Sequence, residues 1–427
     1  MPWREALSPV RMERVALVAP VQRCRAMLLA VSARGTVELD VPGPALEGQA
    51  EVDRVADAAV VDGPVAALVG WSPSHELAGL AEDLAEIDAA VVPLARPAGI
   101  DPPTLLIGQH ASRTLVDTYG TVPYQDVDPA RLAGPAYVLM FGMMFGDVGH
   151  GAVLVLAGLA LRARRWARLA PLSRLWGFVT AAGVMSMVFG ALYGEFFGPT
   201  GVLPVLWLDP LSEPVPLLAA AVGMGGVLLA AASVLGTVNR VREGGWGYAL
   251  YARTGLAGTA LFAAVGLGVW GLVSGLGALV VGAAVLGVVA LVLVGIGLLA
   301  ETGGGFAGAM QTGVELVDTV VRLGSNIISF ARLAAFGLTH AALLSLVWQG
   351  TTALWGPGWR AVAAIALFLV GNVVTFGLEA LVAGVQALRL EYYELFSRIF
   401  TAEGRAFRPW SPVPAGGVAP VEEGTRS

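Results

Sequence analysis

SNIISFARLAAFGLTHAALLSLVW (325–348) is an apolar run long enough to cross a bilayer, yet it carries an arginine, Arg332. LEALVAGVQALRLEYYELF (378–396) repeats the anomaly with Arg389. Arginine stays protonated at any physiological pH. At the centre of a membrane helix it costs roughly 2.5–3.5 kcal/mol even on the lenient insertion scale. Residues kept at such a cost line ion paths, so these two segments decide both the fold and the functional class.

Composition places the rest of the chain in the same solvent. With 56% hydrophobic residues, 14% charged residues and a mean hydropathy of +0.72, its apolar runs exceed the roughly 20 residues that span a hydrocarbon core. Membrane lipids are therefore expected neighbours. A net charge of −6 gives no reason to expect nucleic acid. The single Cys24 excludes an intramolecular disulfide, and four scattered histidines with no second cysteine give no structural zinc pattern. No cofactor and no metal are expected. The first residues, MPWREALSPVRMERV, lack the apolar core of a signal peptide, and cleavage is not expected.

The chain divides near residue 133. ERVALVAPVQRCRAMLLAVSARGTVELD (13–40) reads as strand, helix and strand, and VAALVGW, HELAGLAEDLAEIDAA and VVPL repeat that order over 65–98. Residues 40–55 read as an acidic, glycine-rich linker between these halves. The expected fold is a multi-pass α-helical membrane protein of eight helices, the last two long and tilted, with a small N-terminal cytoplasmic α/β domain. The expected domains are a cytoplasmic 1–133, a membrane 134–400 and a cytoplasmic tail 401–427. Apolar segments run over 134–161, 175–197, 215–239, 248–274, 276–300, 315–350 and 359–398. At about 1.5 Å per residue the last would reach ~60 Å, twice the hydrocarbon thickness.

Loop charge sets the topology. Arginines collect at Arg162, Arg164, Arg165, Arg168 and Arg174, at Arg240, Arg242 and Arg253, and at Arg398, Arg405 and Arg408, whereas 198–214 holds none. The positive-inside rule puts the arginine-rich loops and the C-terminus in the cytoplasm. The N-terminal domain shares that side only if 134–161 turns back on itself. Gly146-Asp147-Val148-Gly149-His150-Gly151, with three glycines in six residues, suits such a turn better than a helix centre.

The last two segments carry polar stripes. Glu315, Asp318, Arg322, Ser325, Ser329, Arg332 and Thr339 follow at intervals of 3, 4, 3, 4, 3 and 7, and Asn372, Thr375, Glu379, Gln386, Arg389 and Tyr393 at 3, 4, 7, 3 and 4. Each spacing keeps its residues on one face of a helix. A polar face on an otherwise apolar membrane helix must turn toward water, a partner's polar face, or both.

These motifs resemble the membrane stator subunit of V-type and archaeal A-type ATPases, subunit a or subunit I. FGMMFGDVGHG (141–151) resembles the family's first membrane signature, preceded by PPTLL (102–106), YGTVPY (119–124) and VDP (127–129). ALYGEFFG (191–198) is similar to its second signature, and SNIISFARLAAFGLTHA (325–341) and LEALVAGVQALRL (378–390) resemble the segments with its two arginines.

The resemblance implies a proton-conducting subunit of a rotary ATPase, with Arg332 facing a proteolipid c/K ring and Arg389 as the second arginine. It implies a cytoplasmic half-channel lined by Asp318 and Ser325 and an opposite one lined by Asp147, Glu195 and Glu379. Ser329, His340 and Gln386 lie along the same ion path. Gln386 stands where many relatives have histidine, and Arg322 adds a charge expected to pair with Asp318. Other implied partners are central and peripheral stalk subunits and, indirectly, a catalytic A/B head. The chain has no lysine and hence no Walker-type phosphate loop, so it is expected to be non-catalytic.

The implied location is a prokaryotic cell membrane with both termini cytoplasmic. Family members have a longer cytoplasmic part, with a coiled coil and a second lobe that are not evident between residues 40 and 60. The alternative expectation is a repurposed channel or transporter, or an assembly scaffold, without stalk-binding arms.

Overall fold

A computed structural model describes residues 8–43, 46, 48–97, 99–106, 111–163, 173, 175–303, 305–399 and 404–412. They form two compact units: residues up to 107 with 120–128 and 402 onward, and residues 108–119 with 129–401.

The first unit is built on an antiparallel sheet of β1 (Met12–Pro20), β2 (Glu38–Leu39), β3 (Val60–Asp62), β4 (Val65–Pro73) and β5 (Ala90–Leu94). Its order is β2-β4-β1-β5, with β3 also on β4. Val15 pairs with Gly70, Leu17 with Leu68 and Ala19 with Ala66. These alternate residues of β1 are buried, the period of two that a half-buried strand requires. Helix α1 (Cys24–Arg34) covers them with Cys24, Met27, Leu28 and Val31, and α3 (Leu77–Ala85) with Leu80 and Leu84. The two strand-helix-strand repeats are thus a split β-α-β arrangement.

The linker expected at 40–55 is corrected: α2 (Gln49–Asp57) occupies its second half and buries Val52 and Val55. Its buried acid hid it. Glu51 accepts hydrogen bonds from Arg54, the Leu46 N–H and the Trp410 indole. Burial, the largest influence, would raise the Glu51 carboxyl, but these donors together hold it below the usual carboxylate range. The chain's return at Arg405–Trp410 completes this unit: Arg405 pairs with Glu38, and the Trp410 N–H donates to Val37 O at 2.7 Å.

The second unit is helical: α4 (Ala111–Tyr119), α5 (Ala130–Met144), α6 (Val148–Arg162), α7 (Trp176–Tyr193), α8 (Pro214–Tyr251), α9 (Leu256–Val273), α10 (Gly277–Glu301), α11 (Gly305–Ser329), α12 (Ala331–Leu354) and α13 (Trp359–Leu390). Taking α11 and α12 as one, the described residues include six helices long and apolar enough to cross a membrane. The chain is an integral, multi-pass membrane protein.

Residues 134–161 do turn back. Along α7, Tyr137, Gly142 and Gly146 meet Phe178, Met185 and Phe189 in rising order, while Gly151 and Gly158 meet Met187 and Thr180 in falling order. The limbs α5 and α6 therefore run oppositely, with α7 packed against both. The break lies at Phe145-Gly146-Asp147, slightly earlier than the glycine cluster indicates. A methyl on Gly190 would lie 2.4 Å from the Val148 nitrogen, so only glycine lets α7 approach this turn.

Three sequence expectations change here. The stretch 240–253 is not a loop: α8 continues to Tyr251 through a kink at Gly245, where φ is 75°, and Arg240 is buried against Glu243 at 2.5 Å. The segment 315–350 is not one helix. It begins at Gly305 and breaks at Phe330, whose buried ring fills the space beside Gly225 of α8. The final segment is helical to Leu390, then widens into a π-helical turn over Glu391–Phe396. Arg164, Arg165, Arg168 and Arg174 lie outside the described residues.

Candidate functional site

Helices α12 and α13 form an antiparallel hairpin. Gly350 lies against Leu367 and Gly371 against Val347, which sets a register. That register brings His340 opposite Glu379, to which it is hydrogen-bonded through Nδ1. Here the second stripe, through Glu379, meets a buried histidine that is not one of the first stripe's residues.

The turn between α5 and α6 adds Asp147. As the N-cap of α6 it accepts from the His150 N–H at 2.8 Å, and its other oxygen accepts from the Gly198 N–H at 2.8 Å. Capping by aspartate satisfies an otherwise orphaned helix donor; here it also fixes where the carboxylate points. Gly198 sits in the loop after α7 at φ 96°, next to Phe197 at φ 51°. A left-handed phenylalanine is uncommon and marks a loop held by its surroundings. The Phe197 ring lies edge-on to His150, 5.5 Å between centroids.

The same loop carries Glu195, which is buried and has an oxygen with no partner among the described residues. His150 reaches Asn372 of α13 at 3.1 Å through Nε2. Phe145 packs on both histidines and on Phe376, with centroids 4.8 Å from His340 and 5.8 Å from Phe376. The result is a polar cluster of Asp147, His150, Glu195, His340, Glu379 and Asn372 inside an aromatic wall. Sequence reasoning named Asp147, Glu195, His340 and Glu379. It placed His150 in the turn and Asn372 in the second stripe but assigned neither to the ion path.

The arginine region differs. Arg332 is half-buried and Arg389 exposed, eight and ten residues from His340 and Glu379, or about 12 and 15 Å along their helices. The two arginines interact with each other, and Arg332 also with Glu394 in the π-helical turn. Glu394 accepts from Ser329 and, with the amide suitably turned, from Asn326 at 2.9 Å. Gln386 has a buried oxygen without a partner among the described residues.

Asp318 and Ser325 stand apart from the buried cluster on α11, Asp318 pairing with Arg322 at 2.6 Å and Ser325 exposed. Glu391, wholly buried with both oxygens unpartnered among the described residues, was not singled out in the sequence. Neither was Glu394, because a π turn shifts residues out of the 3.6-residue stripe.

Fold and site define a multi-pass membrane protein with a sealed carboxylate–imidazole cluster beside a more open arginine seam. Residues 63–202 match the V-type ATPase 116kDa subunit family. Among curated proteins the chain is 29% identical over 368 residues to an A-type ATP synthase subunit I of Aeropyrum pernix, covering 75% of this chain and 52% of that protein. It is 26% identical over 343 residues to the subunit of that name from Methanocaldococcus jannaschii, covering 69% and 46%. It is 32% identical over 193 residues to a V-type ATP synthase subunit I 2 of Treponema pallidum, covering 42% and 41%. The family match and these relatives support a subunit a/I of the V- and A-type ATPases, and the chain spans about half the length of the archaeal relatives named here.

Proposed function

We propose that this chain is the proton-conducting stator subunit of a rotary ATPase of the V/A type, working against a ring of proteolipid helices. The observation that carries this reading is the α12–α13 hairpin, which aligns the sealed cluster and the arginine pair along one seam. A rotor carboxyl crossing lipid is kept neutral by desolvation; beside a fixed guanidinium its ionised form is favoured and it gives up its proton. His340, Glu379, Glu195 and Asp147 supply groups to relay that proton to one side. Asp318 and Ser325, on the exposed face of α11, supply the approach from the other. Ser329 and Gln386 lie near the arginines between the two. Arg332 also keeps the half-channels from joining, because a permanent positive charge repels a proton in transit.

The reading assigns the cytoplasm to both termini, a prokaryotic cell membrane to the chain, and central stalk, peripheral stalk and A/B head subunits to the remaining assembly. Those partners follow from the family name of its relatives.

The test replaces Arg332 by Ala and by Lys in the assembled complex and measures ATP-driven acidification of reconstituted vesicles. Both variants are expected to lose transport by roughly 10²–10³-fold, the scale for removing one aimed electrostatic donor, with assembly intact. Acidification near the wild-type rate in either variant contradicts the reading.

A further inference from the structure

The sealed cluster is rich in carboxyl groups and holds no arginine. The side chains that act electrostatically on Glu195 are Asp147, Asp209 and Glu379, all acidic. Among the described residues, the ion pair recorded for Glu379 is with His340. Buried charges are normally paired or coordinate a metal.

Donor geometry points to a cation. One ligand atom each from Asp147, Glu195 and His340 lies within 4.8 Å of the others, and these residues are 0%, 4% and 2% exposed. Two of the three groups also carry an orphaned polar atom: Glu195 Oε2 and His340 Nε2 have no hydrogen-bond partner among the described residues. Glu379 holds His340 through Nδ1. If Nδ1 donates in that bond, Nε2 keeps its lone pair, the carboxylate–histidine arrangement that orients metal-binding imidazoles. Asp147 is oriented by two backbone N–H groups.

We propose that Asp147, Glu195 and His340 form a binding site for a divalent first-row transition-metal ion such as Zn2+, with Glu379 orienting His340. One imidazole with two carboxylates suits zinc and its neighbours better than magnesium or calcium, which take oxygen ligands. Around a tetrahedral ion with bonds of about 2.0–2.2 Å, donors lie about 3.4 Å apart, so a modest swing of the Glu195 side chain closes the site. Water fills the fourth position. The donors come from a helix cap, a loop and a distant helix, so no sequence spacing announces them.

The ion site does not rest on the proton-path reading; only its consequence does, namely that a bound ion occupies the groups a proton would use. The full chain, purified and stripped with chelator, is titrated with Zn2+ by calorimetry and with Co2+ by visible absorption. One equivalent is expected, with the intense bands of low-symmetry Co2+. Glu195→Gln and His340→Gln should each weaken binding at least ~100-fold, and Glu379→Gln by roughly 10–100-fold. Zn2+ should raise the Tm of the wild type but not of Glu195→Gln, which separates lost binding from lost folding.

Absence of saturable binding overturns the proposal. So does binding that survives both ligand variants, or that disappears instead with the exposed His75→Ala. In vesicles, Zn2+ bound with full occupancy and no slowing of acidification would leave the site standing and count against the half-channel reading.

Discussion

The two polar regions of the helical unit are built on opposite terms. Around Asp147, His150, His340 and Glu379, groups find hydrogen-bond partners in the turn or on neighbouring helices and phenylalanines close the space. Around Arg332 and Arg389, the electrostatic neighbours include each other, and on the same helices or the preceding α11 the residues Ile328, Leu381 and Val385 are exposed. The first region is buried, with Glu195 Oε2 and His340 Nε2 left without a hydrogen-bond partner among the described residues. The second is more open: its two arginines influence each other electrostatically, and apolar residues on the same helices are exposed.

Breaking the sealed region should therefore cost stability as well as transport. Glu379→Ala leaves His340 buried against a missing partner, and removing one member of a buried pair costs about 3–5 kcal/mol. Glu379→Gln keeps a hydrogen bond and should cost less, so the gap between their melting temperatures measures the charge. If Glu379→Ala melts like the wild type, the His340–Glu379 pair does not hold the region together and the contrast fails.

Packing around the cluster can be tested without touching a charge. Gly190→Ala brings a methyl within 2.4 Å of the Val148 backbone and should destabilise by about 1–3 kcal/mol. Gly226→Ala in α8 meets nothing within 4 Å and should stabilise by roughly 0.5–1 kcal/mol. Thermal unfolding in detergent distinguishes opposite signs from a common one.

Glu51 in the sheet unit calibrates what a buried acid does when it has strong donors. Its folded-state pKa is depressed, so its contribution is present above the unfolded value of about 4.3 and disappears as pH falls through the folded value. Hydrogen exchange in β4 of the full chain should quicken over that window in the wild type and change less in Glu51→Gln. The smallest effect belongs to Asp318→Asn: its pair with Arg322 is exposed, and such i,i+4 pairs are worth about 0.3–0.5 kcal/mol. A larger stability loss would mean that α11 is more enclosed than its exposed residues indicate.

Much of this was legible in the sequence. The apolar VALVA run of β1 and the interleaved arginines and apolar residues of α1 pointed to the sheet unit, and glycine beside Asp147 marked the turn between α5 and α6. The first stripe, read as one helical face over Glu315–Thr339, is divided by the break at Phe330, and the second, read over Asn372–Tyr393, runs into the π-helical turn. What escaped depends on contacts between distant residues. The break at Phe330 exists because Gly225 leaves room for its ring, and the joining of α8 across Arg240 depends on a local pair with Glu243. The π-helical turn that brings Glu394 to Ser329 has no signature in a 3.6-residue pattern. For the candidate site, residue types pointed to Asp147, Glu195, His340 and Glu379, but nothing local tied His150 to Asn372 across 222 positions.

Our central proposal is that the cluster enclosed within this chain is reached from one side of the membrane and the exposed face of α11 from the other, the two communicating only through the rotor. Single cysteines at Ser325 and at Asn372, in a Cys24→Ser background, can be exposed in oriented vesicles to a small membrane-impermeant thiosulfonate. The account predicts that the first reacts only from the cytoplasmic face and the second only from the other. Reaction of both from one face, or of Asn372→Cys from neither, would contradict it.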